Sequence, residues 1–268
     1  MKKRDLLAFV HIEKSAGTSL IHLLRHNYFP GYMDVRPLRH REKIFRAEDL
    51  LRYVRLVPWL SAVGGHSVVP WSDLESVVNV RYIALLRDPV KRYVSQYRYW
   101  SSHLGKALSM DEYLSREGPR NLQVKKFAGE ENLAKAIDVI GEKFLCVGVV
   151  EHFDRYLLDL QDRESDSGFR AMHMEQNVNL RNDLSENKLV EQYGDRIYEN
   201  NKLDIQLYRK VLKDIEGRQS GNDSRAKQIP GMKSSPQLVI DYLFRKLYIE
   251  PVTGWIRESN GLEKRGSY

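Results

Sequence analysis

Cysteine is nearly absent from this 268-residue chain: Cys146 is the single one. One thiol closes no internal disulfide and builds no cysteine-rich zinc site. Its place in the apolar run FLCVGVV predicts a buried strand thiol. Long apolar runs are missing too. The longest near the N-terminus, LLAFV, is far short of the ~20 residues of a membrane span and of a secretory core. For a chain complete as written, the expected location is therefore the cytoplasm. There is no visible internal repeat and no recognised nucleic-acid-binding module. The excess positive charge, +7 with a pI near 9.3, is spread along the chain rather than gathered in one tail. It calls for an anionic partner without choosing one. With 42% hydrophobic and 29% charged residues, the chain is neither disordered nor fibrous. Its length suits one domain over 1–268.

Three strand-to-helix units organise what is present. Leu6 to Ile12 is a continuous apolar run that predicts a buried strand. From Thr18, the apolar residues Leu20, Ile21, Leu23 and Leu24 recur at helical spacing until Pro30-Gly31. VRYIALLR, from Val80, predicts a second strand, followed by Asp88 as N-cap and Pro89 at the first helical position. Val90, Tyr93, Val94 and Tyr97 then share one helical face. FLCVGVV, from Phe144, predicts the third strand and gives way at Glu151 to the helical HFDRYLLDL. Such units predict an α/β fold with a central, mainly parallel sheet covered on both sides, its ligand loops along one edge. The intervening sequence reads as mostly helical. Lys188 to Lys213 reads as one long helix or a pair, and the polar, basic stretch 217–235 as a flexible loop before a final helix.

The loop HIEKSAGTSL has the placement of a phosphate-binding loop, yet lacks the Gly-Lys-Ser/Thr ending whose hydroxyl meets magnesium. Uncapped amides and the dipole at a helix start favour phosphate or sulfate. Gly17 permits close approach of an anion, Thr18 and Ser19 add hydroxyl donors, and Lys14 adds charge. In RDPVKRYVS, Arg87 ends a strand and Ser95 follows about two turns on. These two loops suggest two anion sites, as for a nucleotide phosphorylated at two positions.

HIEKSAGTSL and LLRDPVKRYVSQY together resemble the two cofactor signatures of sulfotransferases that use 3′-phosphoadenosine 5′-phosphosulfate (PAPS). The likeness is strongest to the branch containing the heparan sulfate 2-O- and 6-O-sulfotransferases, whose first signature commonly reads HIPKTAGTS. RNLQVKKFAG, VGVVEHFDRYLLDL and NNKLDIQLY are similar to further segments of that branch, extending the resemblance to about Tyr208. It implies a P-loop-like, three-layer α/β/α fold. Lys14, Ser15, Ala16, Gly17, Thr18 and Ser19 would hold the 5′-phosphosulfate, and Arg87 and Ser95 the 3′-phosphate. Glu13 replaces a usual proline, Ser15 a usual threonine, and Lys125 an arginine, which keeps charge without bidentate geometry.

The resemblance also makes His66, in SAVGGHSVV, the general base, and imidazole titrates in the range such a base needs. The implied reaction is in-line sulfuryl transfer from PAPS to an acceptor hydroxyl, with Lys14 neutralising developing charge and adenosine 3′,5′-bisphosphate (PAP) as product. It requires no metal. The implied acceptor is a carbohydrate hydroxyl, with Arg36, Arg39, Arg41 and Lys43 available to guide an acidic glycan or to face solvent. His11 is expected to brace the loop. His22 and His26, one turn apart without a third ligand, are expected on a solvated helix face. Glu151 is expected to serve as a charge at a helix N-terminus. The sulfotransferase reading expects no nucleic-acid partner; the alternatives to it are a P-loop-like phosphotransferase and a non-enzymatic polyanion-binding protein, holding nucleic acid or another acidic polymer.

Overall fold

In the computed structural model, β1 (Asp5–Val10) sends alternate side chains to opposite faces, and both faces are buried. Leu6, Ala8 and Val10 join one apolar cluster, and Leu7 and Phe9 another. The strand β4 (Asn79–Leu86) divides in the same way: Tyr82, Ala84 and Leu86 on the first face, Ile83 and Leu85 on the second. A strand buried on both sides has no polar face, which is why these segments read as unbroken apolar runs.

The structure describes residues 3–38, 43–103, 108–172, 183–217, 229–231 and 236–261. Its sheet has five strands in the order β2 (Tyr32–Asp34), β3 (Ala62–Gly65), β1, β4, β5 (Phe144–Val149), every pairing parallel. One face is covered by residues of α2 (Ala47–Leu56), α5 (Leu122–Ala128), α6 (Leu133–Lys143) and α9 (Lys202–Gly217), among them Leu50, Val124, Phe127, Ala136 and Leu207. The other is covered by α1 (Gly17–Asn27) and α7 (Phe153–Arg163), through Leu20, Leu23, Leu24, Leu157 and Leu160. This is a three-layer α/β/α arrangement. Beside it, α3 (Pro89–His103), α4 (Met110–Ser115) and α8 (Asp183–Asn200) share a third cluster containing Tyr93, Val94, Tyr113 and Ile197.

The three units read from sequence appear as β1–α1, β4–α3 and β5–α7, with a short 3₁₀ turn, Val150–His152, before the last helix. The first strand ends at Val10 rather than Ile12. Two strands lie in sequence read as mostly helical, since three and four residues are too few to show a period. Glycines make their pairing possible: a Cβ on Gly64 would sit 2.5 Å from the Tyr32 hydroxyl. The 188–213 stretch is a pair of helices, α8 and α9, separated at Asn201. Of the 217–235 loop, 218–228 and 232–235 lie outside the described residues. The C-terminal helices, Pro236–Phe244 and Glu250–Ser259, join through a π turn. Arg245 in that turn meets Asp34 of β2 at 3.1 Å, and Asp34 also pairs with Arg25 of α1. No helix among the described residues is long and apolar enough to cross a membrane.

The strand order fixes where a ligand can enter. From β1 the chain moves to β2 and β3 on one side, and from β4 to β5 on the other. The connections leaving the adjacent strands β1 and β4 therefore diverge, opening a crevice at the carboxyl ends of the strands.

Candidate functional site

The loop from His11 to Ala16 is shaped by two left-handed residues, Lys14 (φ 67°) and Ala16 (φ 51°), on either side of Ser15. That conformation costs a non-glycine residue about 1–2 kcal/mol. Alternating backbone handedness gathers successive amides into an anion-binding concavity. Helix α1 follows with no side-chain cap and no acidic residue in its first turn. Its leading amides and positive dipole end are thus left uncompensated by the protein's own side chains. Gly17 has a role beyond approach by an anion: a Cβ there would lie 1.8 Å from Nε2 of His11. Gly17→Ala is expected to displace that ring, costing about 1–3 kcal/mol of stability and distorting the loop. A denaturant melt checks this, and wild-type stability in the variant would refute it.

Arg87 joins the second loop to the first, its Nη1 donating to the Lys14 carbonyl at 3.1 Å. Its backbone is clamped by Gln123, whose Oε1 accepts the Arg87 N–H and whose Nε2 donates to the Arg87 carbonyl, each at 3.0 Å. Gln123 is placed in turn by reciprocal capping of α5 and α9. Asp204 accepts the amides of Gln123 (3.0 Å) and Val124 (2.8 Å), while Asn121 Oδ1 accepts those of Leu203 (3.0 Å) and Asp204 (3.3 Å). Glu151 takes the Asp88 amide at 3.1 Å, tying β5 to the β4–α3 junction rather than merely charging its own helix start. Asp88 caps α3 as its sequence predicts, accepting the Lys91 amide at 2.9 Å. The three downstream segments RNLQVKKFAG, VGVVEHFDRYLLDL and NNKLDIQLY thus share one structural task, immobilising Arg87-Asp88.

His66 follows β3 directly, bringing it beside the end of β1. Its Nδ1 lies 3.1 Å from the His11 carbonyl oxygen. A carbonyl only accepts, so Nδ1 carries the hydrogen and Nε2 the lone pair. The His11 and His66 rings stack with centroids 3.9 Å apart. Burial, then the neighbouring His66 and Lys126, lowers the His11 pKa to about 2. His66 is also lowered, chiefly by burial, with Glu13 opposing and Lys126 assisting. Both rings are therefore neutral at pH 7. Burial would raise the Glu13 carboxyl, but Lys126, His66, its own backbone amide and Arg92 act together against it and hold the group below the usual carboxylate range. Burial, then Arg87, lowers the Lys14 ammonium, which lies 4.7 Å above the Tyr99 ring.

These groups open on one cavity of about 1040 Å³. His66, Lys14, Ala16, Gly17, Thr18, Arg87 and Ser95 all line it. Ser15 and Ser19 are not among its lining residues, and the Ser15 hydroxyl is buried without a hydrogen-bond partner among the described residues. Arg36 and Lys43 line the cavity too, whereas Arg39 and Arg41 lie outside the described residues. Lys125 lines it with its ammonium on the Glu117 carbonyl at 2.7 Å. His22 packs near the Arg25–Asp34–Arg245 cluster instead of facing open solvent, and burial lowers its pKa. Among the described residues no group of three His, Cys, Asp or Glu side chains is arranged to hold a metal. Sequence reasoning missed Glu13, Lys126, Trp71, Trp100 and Arg257 as members of this site. Only the replacement of a usual proline by Glu13 offered a signal.

A parallel α/β sheet with an anion-suited crevice at its switch point is the class this chain presents. No family model matches the chain, and no curated protein matches it. Among solved structures it is similar to the crystal structure of a sulfotransferase from Alicyclobacillus acidocaldarius, 18% identical over 74% of this chain and 95% of that chain, with a TM-score of 0.38. At that score the shared backbone is too slight to transfer a role to any residue.

Proposed function

We propose that the protein is a sulfotransferase that moves a sulfuryl group from PAPS to a hydroxyl of a carbohydrate acceptor. One observation carries the reading: an uncapped, cation-bearing loop after β1, Arg87 and Ser95 from the neighbouring β4–α3 unit, and His66 all meet in one cavity. The bound donor supplies an activated sulfuryl group, transferred by in-line displacement through a loose transition state. The chain's work is then positioning and charge stabilisation. The backbone of Lys14 to Ser19, with the Lys14 and Thr18 side chains, would hold the 5′ end, Lys14 facing the charge that develops on the leaving phosphate, and Arg87 and Ser95 would hold the 3′-phosphate. His66 Nε2 would take the proton from the acceptor hydroxyl. Trp71, Tyr99 and Trp100 offer apolar platforms for sugar faces, and Arg36, Lys43 and Arg257 offer cations for an acidic one.

Ligand-dependent melting separates this reading from a magnesium-dependent phosphotransferase. PAP without added metal is expected to raise the melting temperature by several degrees at about 100-fold excess over its Kd. Stabilisation by ATP–magnesium with no response to PAP would overturn the reading. Incubation with labelled PAPS and a panel of glycans then identifies the acceptor.

A further inference from the structure

Resting on that reading, we propose that Glu13 is the positioning residue and counter-ion of His66, held in that role by Lys126. Glu13 Oε1 lies 3.7 Å from His66 Nδ1 and 3.4 Å from the Lys126 ammonium. Lys126 also donates to the His66 carbonyl at 2.7 Å, so one cation grips both the carboxylate and the backbone of the histidine. Glu13 Oε2 is buried and has no hydrogen-bond partner among the described residues. The oxygen nearest the imidazole, Oε1, is thus the one Lys126 holds, and Oε2 keeps its acceptor capacity unused.

The geometry sorts the neighbouring groups by task. His11 covers one face of the His66 ring and contributes its carbonyl to Nδ1, and being neutral it adds no charge of its own. Lys126 is positive and opposes an imidazolium; Asp34 contributes a weaker favourable field than Glu13. Arg92, in turn, helps hold Glu13 ionised. Glu13 is thus the main negative charge acting on His66. In the transfer step the acceptor oxygen bonds to sulfur and the sulfur–oxygen bond to the leaving phosphate breaks, its electron pair departing with PAP. The acceptor proton moves to His66 Nε2. The ring becomes an imidazolium whose Nδ1 lies 3.1 Å from the His11 carbonyl oxygen and 3.7 Å from Glu13 Oε1. The new positive charge then forms next to an existing negative one, in a site partly shielded from water.

Glu13→Gln preserves size and removes the charge. The test follows the titration of the His66 imidazole by NMR in labelled wild type, E13Q and K126M, with H66A used for assignment. The His66 midpoint is expected to fall in E13Q and to rise in K126M. In kinetics, kcat of E13Q is expected to drop about tenfold or more. The acid limb of its kcat/KM profile should shift to lower pH, while PAP affinity stays near wild type. A role confined to packing would not move that limb. Equal His66 midpoints in all three proteins would overturn the proposal, as would wild-type kcat in E13Q with an unmoved acid limb. If wild type neither binds PAP nor transfers sulfate, the sulfotransferase reading fails separately, because the NMR titration reads the coupling between residues 13 and 66 without any substrate.

Discussion

His66→Ala is expected to lower turnover by about 10²–10⁴-fold, the usual worth of a positioned general base, with PAP affinity essentially unchanged. The separation follows from where each task is located. The proposed donor contacts come from the β1–α1 loop and the β4–α3 unit, whereas His66 enters from the end of β3. The ring suits a base because its Nδ1 is committed to the His11 carbonyl and burial keeps it neutral at pH 7. Removing it deletes the proton acceptor while Lys14, Arg87 and Ser95 remain. Steady-state kinetics with PAPS and an accepted glycan, beside calorimetric titration with PAP, would check both halves. Near-normal turnover in the purified variant would remove His66 from the chemistry. Loss of PAP binding would give it a structural role instead.

Asp204→Ala is expected to destabilise the fold by about 2–4 kcal/mol, by leaving two buried amides at the start of α5 without acceptors. The loss has a pH dependence of definite sign. Burial lifts the Asp204 carboxyl to about 6, against the pull of Arg92 and the two amides. The folded state therefore binds this proton more tightly than the unfolded chain, whose carboxyl titrates near 3.8. The stabilisation linked to it is full below about 3.8 and is lost as pH rises through about 6. The gap between wild type and Asp204→Ala should accordingly be wider at pH 5 than at pH 7. Urea denaturation at the two pH values measures it; a gap that narrows on acidification would contradict this account of the buried carboxylate. Because Asp204 holds Gln123, and Gln123 holds the Arg87 backbone, the same variant should also bind PAP more weakly.

Much of this architecture was legible in one dimension. The runs at 6–12, 80–87 and 144–150 are long, apolar and followed by helical periodicity, and all three are strands of the parallel sheet. Asp88-Pro89 marked a helix start through chemistry confined to four residues. The short strands β2 and β3 could not be read in this way. Their extended form depends on pairing, β3 with β1 and β2 with β3, and on Gly64 and Gly65, which let Tyr32 and Val35, about thirty positions away, approach closely. Gly17 shows the same limit: a position read for access by an anion is also one where the His11 ring leaves no room for a Cβ.

Local chemistry, then, determined by itself the three long strands, the helices that follow them, and the uncapped loop between the first pair. Hydrophobic period, capping and backbone freedom are properties of a few adjacent residues, so they are written directly in the chain. Tertiary structure alone decided the partnerships: β3 beside β1, which brings His66 onto His11; α5 against α9, which clamps Arg87; and Lys126 of α5 against both Glu13 and the His66 carbonyl. Each joins residues far apart in sequence, and its electrostatics depend on burial and on distances of a few ångströms that exist only once the layers have packed.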